Sequence, residues 1–206
     1  MNILDKIIAD KCKEVALRKQ LIPVKQLEQS VLFERKSPSL AQALSTSTSG
    51  IIAEHKRRSP SKATINNNLN VQDVASGYEQ AGVCGMSVLT DGKYFGGSLD
   101  DLLLARAAAQ LPLLRKEFVI DTYQILEAKA YGADVILLIA AVLTREEIKT
   151  LSEFAKSLGL DVLLEVHNLE ELQKSVMPSL DMLGVNNRNL KTFEVSLETS
   201  KSLSAE

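Results

Sequence analysis

From Ile51 onward the chain alternates short apolar runs with segments of helical period. Few folds accept that alternation, because it is the signature of repeated βα units around a parallel sheet. The runs are Ile51-Ile-Ala-Glu-His, Cys84-Gly-Met-Ser-Val-Leu, Leu111-Pro-Leu-Leu-Arg, Asp134-Val-Ile-Leu-Leu-Ile, Asp161-Val-Leu-Leu-Glu-Val and Asp181-Met-Leu-Gly-Val-Asn, which predict six strands. Closed eight-stranded barrels and open doubly wound sheets are both built this way. No Gly-x-Gly-x-x-Gly follows the first strand, so the dinucleotide-binding sheet lacks its fingerprint and the barrel is favoured.

The intervening segments carry helix start and stop signals. Ser98-Leu-Asp-Asp101 and Thr144-Arg-Glu-Glu147 read as capping boxes. Ile148, Leu151, Ala155 and Leu158 share one helical face before Gly159, Val71, Val74, Ala75 and Tyr78 form a similar stripe before Gly82, and Gly132 ends another helix. Residues 1–50 do not fit the alternation. Ile3, Leu4, Ile7, Ile8 and Cys12 suggest an amphipathic helix, and Ser37-Pro38 reads as the N-cap and first residue of a helix over Leu40 to Leu44. The expected organisation is an N-terminal helical extension over 1–50 and a partial (β/α) barrel over 51–206. Arg35-Lys-Ser-Pro-Ser39 nearly duplicates Arg57-Arg-Ser-Pro-Ser61 but follows no strand, and reads as a solvated helix start.

With 24 Lys and Arg against 26 Asp and Glu, global charge gives no case for nucleic acid or an anionic membrane as partner. The longest apolar run, Val135 to Leu143, is about half the roughly 20 residues of a membrane-spanning helix. No secretory signal is visible at the N-terminus, and Cys12 and Cys84 form neither a disulfide framework nor a metal-ligand cluster, so reduced thiols in the cytoplasm are expected.

A parallel barrel builds its active site at the carboxyl ends of the strands. The first run ends in Glu54-His55-Lys56, the second in Thr90-Asp91, the third in Arg115-Lys116-Glu117, the fifth at Glu165 and the sixth at Asn186-Asn187-Arg188. Glu54, Lys56, Lys116, Glu165 and Asn186 would converge on one mouth, a concentration of charge that separates a working acid from a working base. His55 alternates to the opposite face and is expected to pack. Asn66-Asn-Asn68 reads as a mobile loop, with gating of substrate as the sharper alternative.

The local sequences carry a resemblance. Ile51-Ile-Ala-Glu54-His-Lys56-Arg-Arg-Ser59-Pro60-Ser61 resembles the first strand and loop of the indole-3-glycerol-phosphate synthase family. Ser87-Val-Leu-Thr-Asp-Gly-Lys-Tyr-Phe-Gly-Gly-Ser98, Leu114-Arg-Lys116-Glu-Phe118, Gly132-Ala-Asp-Val-Ile-Leu-Leu-Ile, Leu164-Glu165-Val and Gly184-Val-Asn186-Asn-Arg188-Asn-Leu follow in the same order. The resemblance implies a TIM (β/α)8 barrel and a tryptophan-pathway lyase. Its small phosphorylated substrate, 1-(2-carboxyphenylamino)-1-deoxyribulose 5-phosphate, is converted without cofactor or metal to indole-3-glycerol phosphate, carbon dioxide and water. It implies Lys116 as general acid, Glu165 as base, Lys56 as holder of the anthranilate carboxylate, and Glu54 as the group that orients the lysines. Asn186, Arg188 and Ser59 would place the substrate, and Phe118 and Leu138 would line a slot for the aryl ring.

Eight strands need two units beyond Asn186, but only about 20 residues follow it. The chain is therefore expected to be a truncated form of a longer, monomeric parent, with impaired activity and a tendency to associate through exposed sheet edges. In the family the absent segment supplies a carboxylate and most of the phosphate cradle. Two further readings stay open: a class I aldolase barrel in which Lys116 forms a Schiff base, and an inactive fragment that needs a complementing chain.

Overall fold

The structure is a computed structural model that describes residues 3–66, 68–188 and 194–204. Three helices come first: α1 (Ile3–Leu21), α2 (Val24–Glu28) and α3 (Leu40–Thr46). The βα units follow as β1 (Ile52–His55), α4 (Val71–Gln80), β2 (Gly85–Leu89), α5 (Gly92–Phe95), α6 (Leu99–Ala108), β3 (Leu113–Lys116), α7 (Thr122–Ala130), β4 (Val135–Ile139), α8 (Arg145–Ser157), β5 (Asp161–Val166), α9 (Leu169–Ser175), β6 (Met182–Val185) and α10 (Glu198–Leu203).

All six strands are parallel and lie in the order β1-β2-β3-β4-β5-β6. A doubly wound sheet reverses direction at a switch point, whereas a barrel adds each strand beside the last. This is a partial TIM barrel, with β1 and β6 at its two ends. Its outer face buries Met86, Val88, Leu113, Ile136, Leu138, Val162 and Leu164 against Val71, Ala75, Leu102, Ala105, Ile148 and Leu151 of the covering helices. Its inner face carries Leu114, Val135, Leu137 and Ile139.

The bottom of the inner face is closed by α3, whose Leu40 is fully buried against Cys84, Leu114 and Val135. A Cβ on Gly85 would stand 2.6 Å from Leu40 Cδ1 and 2.9 Å from the Pro112 carbonyl, so only glycine lets the helix seat this deeply. Ser39, and not Ser37, is the N-cap of α3. Its hydroxyl accepts from the Gln42 amide and donates to Asp161 at 2.8 Å, so Pro38 stands ahead of the helix.

Gly132 and Gly159 end their helices at φ of 85° and 70°, and Thr144 with Glu147 forms the expected capping box. The box at Ser98 is only half made. Ser98 accepts from the Asp101 amide, but the Asp101 carboxylate is taken by Arg57 in a two-pronged pair of 2.5 and 2.7 Å. A guanidinium fork matches both carboxylate oxygens, which no single backbone N–H can do.

Helix α1 buries Ile7, Lys11 and Val15, a stripe of spacing four that leaves Cys12 exposed. Val15 and Leu27 pack on Tyr123, Leu126 and Ala130 of α7, and Tyr123 donates its hydroxyl to the Ile22 carbonyl at 2.9 Å. Arg35 is not solvated as its surroundings in sequence suggest. It pairs with the fully buried Asp134, which Arg106 also approaches at 3.2 Å.

Candidate active site

Period-two alternation decides which strand residues face inward. Register then places them beside one another: Glu54 opposite Ser87, Leu89 opposite Lys116, Ile139 opposite Glu165 and Glu165 opposite Gly184. The residues that end these strands surround a cavity of about 600 Å³, a size suited to a small organic ligand. Its wall includes Glu54, Lys56, Ser59, Lys116, Phe118, Glu165, Asn186 and Arg188, and Ile3, Leu4 and Ile7 of α1 roof it.

Opposite charges alternate around the mouth. Lys56 Nζ lies 2.5 Å from Glu54 Oε1, and the second oxygen of Glu54 is 3.7 Å from Lys116 Nζ. Lys116 Nζ is also 3.7 Å from Glu165 Oε2, and Asn186 Nδ2 donates to Glu165 Oε1 at 3.0 Å. About a third of each lysine side chain is exposed, and 15% of Glu165. The result is two ammonium groups, each already beside a carboxylate, at the edge of an apolar chamber. Such a site can give a proton at one point and take one at another.

Ser59 sits in a tight turn, exchanging backbone hydrogen bonds of 2.9 and 3.0 Å with Lys62. Arg188 is exposed, and its backbone N–H donates to Asn186 Oδ1 at 3.0 Å. Asn67, Asn189 and Leu190, which belong to segments singled out in the sequence, lie outside the described residues.

Leu138 does not line the slot. It faces the helices and is fully buried there, while its neighbours Leu137 and Ile139 face the chamber. Phe118 does line it, with Phe95 of α5 tilted against it at a centroid separation of 6.0 Å. His55 packs on the outer face with 3% exposure and no hydrogen-bond partner on either ring nitrogen among the described residues.

Arg115 turns outward to the Gln124 carbonyl at 2.5 Å and to Glu127 at 3.2 Å. Glu117 and Asp91 are held by Lys11 of α1, at 3.1 and 3.0 Å. Glu117 also accepts from Thr90 at 2.9 Å and from the Phe118 amide at 2.9 Å, while Asp91 caps α5 through the Tyr94 and Phe95 amides. One buried lysine thereby fixes both segments that carry the aromatic wall.

Two further residues, His167 and Glu171, lie behind Glu165 and line a neighbouring cavity, and neither was singled out in the sequence. His167 stands just past the end of β5, two residues after Glu165, with Nε2 at 3.5 Å from Glu165 Oε1 and Nδ1 at 3.1 Å from Glu171. The signal available was Asn168-x-x-Glu171, the spacing of an N-cap and its N3 acid, directly after the strand.

A family profile described as indole-3-glycerol phosphate synthase matches residues 4–206. Three curated relatives bear that same description. The protein of Bacteroides thetaiotaomicron is 48% identical over 199 residues, covering 97% of this chain and 76% of the relative. That of Dechloromonas aromatica is 45% identical over 206 residues, covering 98% of this chain and 79% of the relative. That of Bacillus cereus is 46% identical over 203 residues, covering 98% and 77%. Among the described residues no helix is long and apolar enough to cross a membrane.

Proposed function

Because the chain belongs to the indole-3-glycerol phosphate synthase family, we propose that its strand-end residues divide the ring closure of 1-(2-carboxyphenylamino)-1-deoxyribulose 5-phosphate among themselves. The reaction is that of a carbon–carbon lyase of tryptophan biosynthesis. It needs protonation of a ketone and later of a departing hydroxyl, a grip on an aryl carboxylate, and a base to complete dehydration.

Lys116 is the acid. The observation that carries this assignment is the position of its Nζ between Glu54 and Glu165, 3.7 Å from each, at the centre of the alternating charges. Lys56 holds the aryl carboxylate, which competes with Glu54 for its ammonium when substrate enters. Glu54 sets the position of both lysines from one side chain. Glu165 is the base, oriented by Asn186. Phe118, Phe95, Leu137 and Ile139 take the aryl ring, while Arg188 and Ser59 contact the polar remainder of the substrate. Ile3, Leu4 and Ile7 of α1 set apolar surface over the mouth, which strengthens each of these electrostatic contacts relative to open water. The substrate is a small phosphorylated molecule.

The test is to add the substrate to the purified chain and follow carbon dioxide release together with the fluorescence of indole-3-glycerol phosphate. Both signals should rise in step, and borohydride should trap no covalent adduct on Lys116. A trapped adduct without indole fluorescence would assign Lys116 to Schiff-base chemistry instead.

A further inference from the structure

We propose that His167 takes over the proton that Glu165 removes from the substrate, acting as an imidazole held between Glu165 and Glu171. The proposal rests on the reading of Glu165 as the base.

The Glu171 carboxylate is locked in place. Oε2 accepts the His167 backbone N–H at 2.9 Å, Oε1 accepts from Asn168 Nδ2 at 2.9 Å, and the Glu171 amide donates to Asn168 Oδ1 at 2.9 Å. Burial pushes the Glu171 carboxyl up, yet the bonds from His167 and Asn168 outweigh it and hold the group below its ordinary value. An ionised carboxylate only accepts, so the ring nitrogen facing it at 3.1 Å, Nδ1, carries the hydrogen. In the neutral ring Nε2 is then a bare acceptor.

Nε2 is buried and has no hydrogen-bond partner among the described residues, on a side chain that is only 10% exposed. It stands 3.5 Å from Glu165 Oε1. Two acceptors facing each other form no bond. They form one when Glu165 gains a proton, which is the state its role as base creates. A buried acceptor without a donor is unfavourable, and the arrangement is relieved at that step of turnover.

The transfer balances. Glu165 takes a proton from carbon, the C–H electron pair becomes the new double bond, and the hydroxyl leaves as water with a proton from Lys116. The proton on Glu165 moves to Nε2, and the imidazolium, flanked by two carboxylates, releases a proton to solvent. Lys116 recovers one from solvent, so the cycle is neutral. His167 borders a second cavity of about 900 Å³ that gives this proton its exit. Among the described residues, the charged groups facing that space are Glu171 of α9, Asp5 of α1, and Arg188 and Glu194 after β6.

Two variants and one spectrum test this. His167→Asn keeps a donor near the Nδ1 position but lacks the distal acceptor, so kcat should fall roughly 10- to 100-fold, within the lower range for a positioned proton carrier, with KM little changed. Added imidazole should restore part of that rate, and should do nothing for Glu171→Ala, in which the ring of His167 is still present. In the unaltered chain, 15N NMR of the neutral form of the ring should report a protonated Nδ1 and a bare Nε2. A protonated Nε2 with a bare Nδ1 would overturn the proposal whether or not the chain turns over. Turnover in His167→Asn equal to that of the unaltered chain would overturn it while leaving Glu165 as base. Loss of turnover in the unaltered chain would strike the functional reading, and the tautomer alone would then decide His167.

Discussion

The Lys11 ammonium and the Glu117 carboxylate lie 3.1 Å apart with 2% and 1% of their side chains exposed. Asp91 stands on the other side of the same ammonium at 3.0 Å. Burial alone would lower the pKa of Lys11, but the pull of Glu117 and Asp91 wins and raises it above the ordinary lysine value. This joins the roof of the mouth to the two segments that carry Phe95 and Phe118.

Lys11→Met takes the cation away from Asp91 and Glu14 and leaves Glu117 with Arg115 alone, at 3.7 Å. Breaking a buried pair in this way costs about 3 to 5 kcal/mol, so the urea midpoint should fall by that equivalent. A folded pKa raised above the unfolded one makes the lysine's contribution complete below the unfolded value and lost only as pH rises through the folded value. The Lys11 contribution should therefore be constant with pH near neutrality and decline in strong alkali, which pH-resolved urea titrations of the two proteins would separate.

His55 behaves in the opposite sense. Burial, helped by the neighbouring Arg57 and opposed by Asp101, lowers its pKa below 6.5. The unfolded chain binds the proton first, so the contribution is whole above about pH 6.5 and is lost as pH falls toward the folded value. His55→Leu should flatten this limb, shrinking the drop in Tm between about pH 7.5 and about pH 5. An unchanged drop would mean that other groups set the acid sensitivity.

The strands were legible because each contains a short apolar run bounded by polar residues, and the mouth was legible because period two carries Glu54 and Lys56, Lys116, Glu165 and Asn186 to one face. Leu138 was misplaced for a physical reason. β4 is buried on both faces, so Val135-Ile-Leu-Leu-Ile139 has no polar residue to reveal its phase. Only the pairing of Ile139 with Glu165 fixes it. Lys11 reads as an ordinary surface lysine until Asp91 and Glu117, far away in sequence, are brought to it. Arg57 was read within its own motif, but its partner Asp101 belongs to α6, 44 residues further on and beyond β2.

That phase yields a paired test. Leu138→Ala and Ile139→Ala both remove buried methylene groups, and each should destabilise the chain by about 2 to 5 kcal/mol. Only Ile139→Ala should also raise KM, by roughly tenfold for about 1.4 kcal/mol of lost contact with the aryl ring. Equal effects on KM would place the ring elsewhere.

Asn186→Leu removes the donor to Glu165 at 3.0 Å while keeping similar bulk. With the base free to swing, kcat should fall about 10- to 100-fold and urea stability should change by less than about 1.5 kcal/mol. A loss of stability with kcat intact would make Asn186 a structural residue.

Lys116, as the proton donor, is the residue on which turnover depends most. The direct measurement is indole-3-glycerol phosphate fluorescence from the unaltered chain and Lys116→Ala side by side, with circular dichroism of both. The expected result is product from the first, a rate at least about 100-fold lower from the second, and superimposable spectra. Equal rates from the two proteins would contradict it.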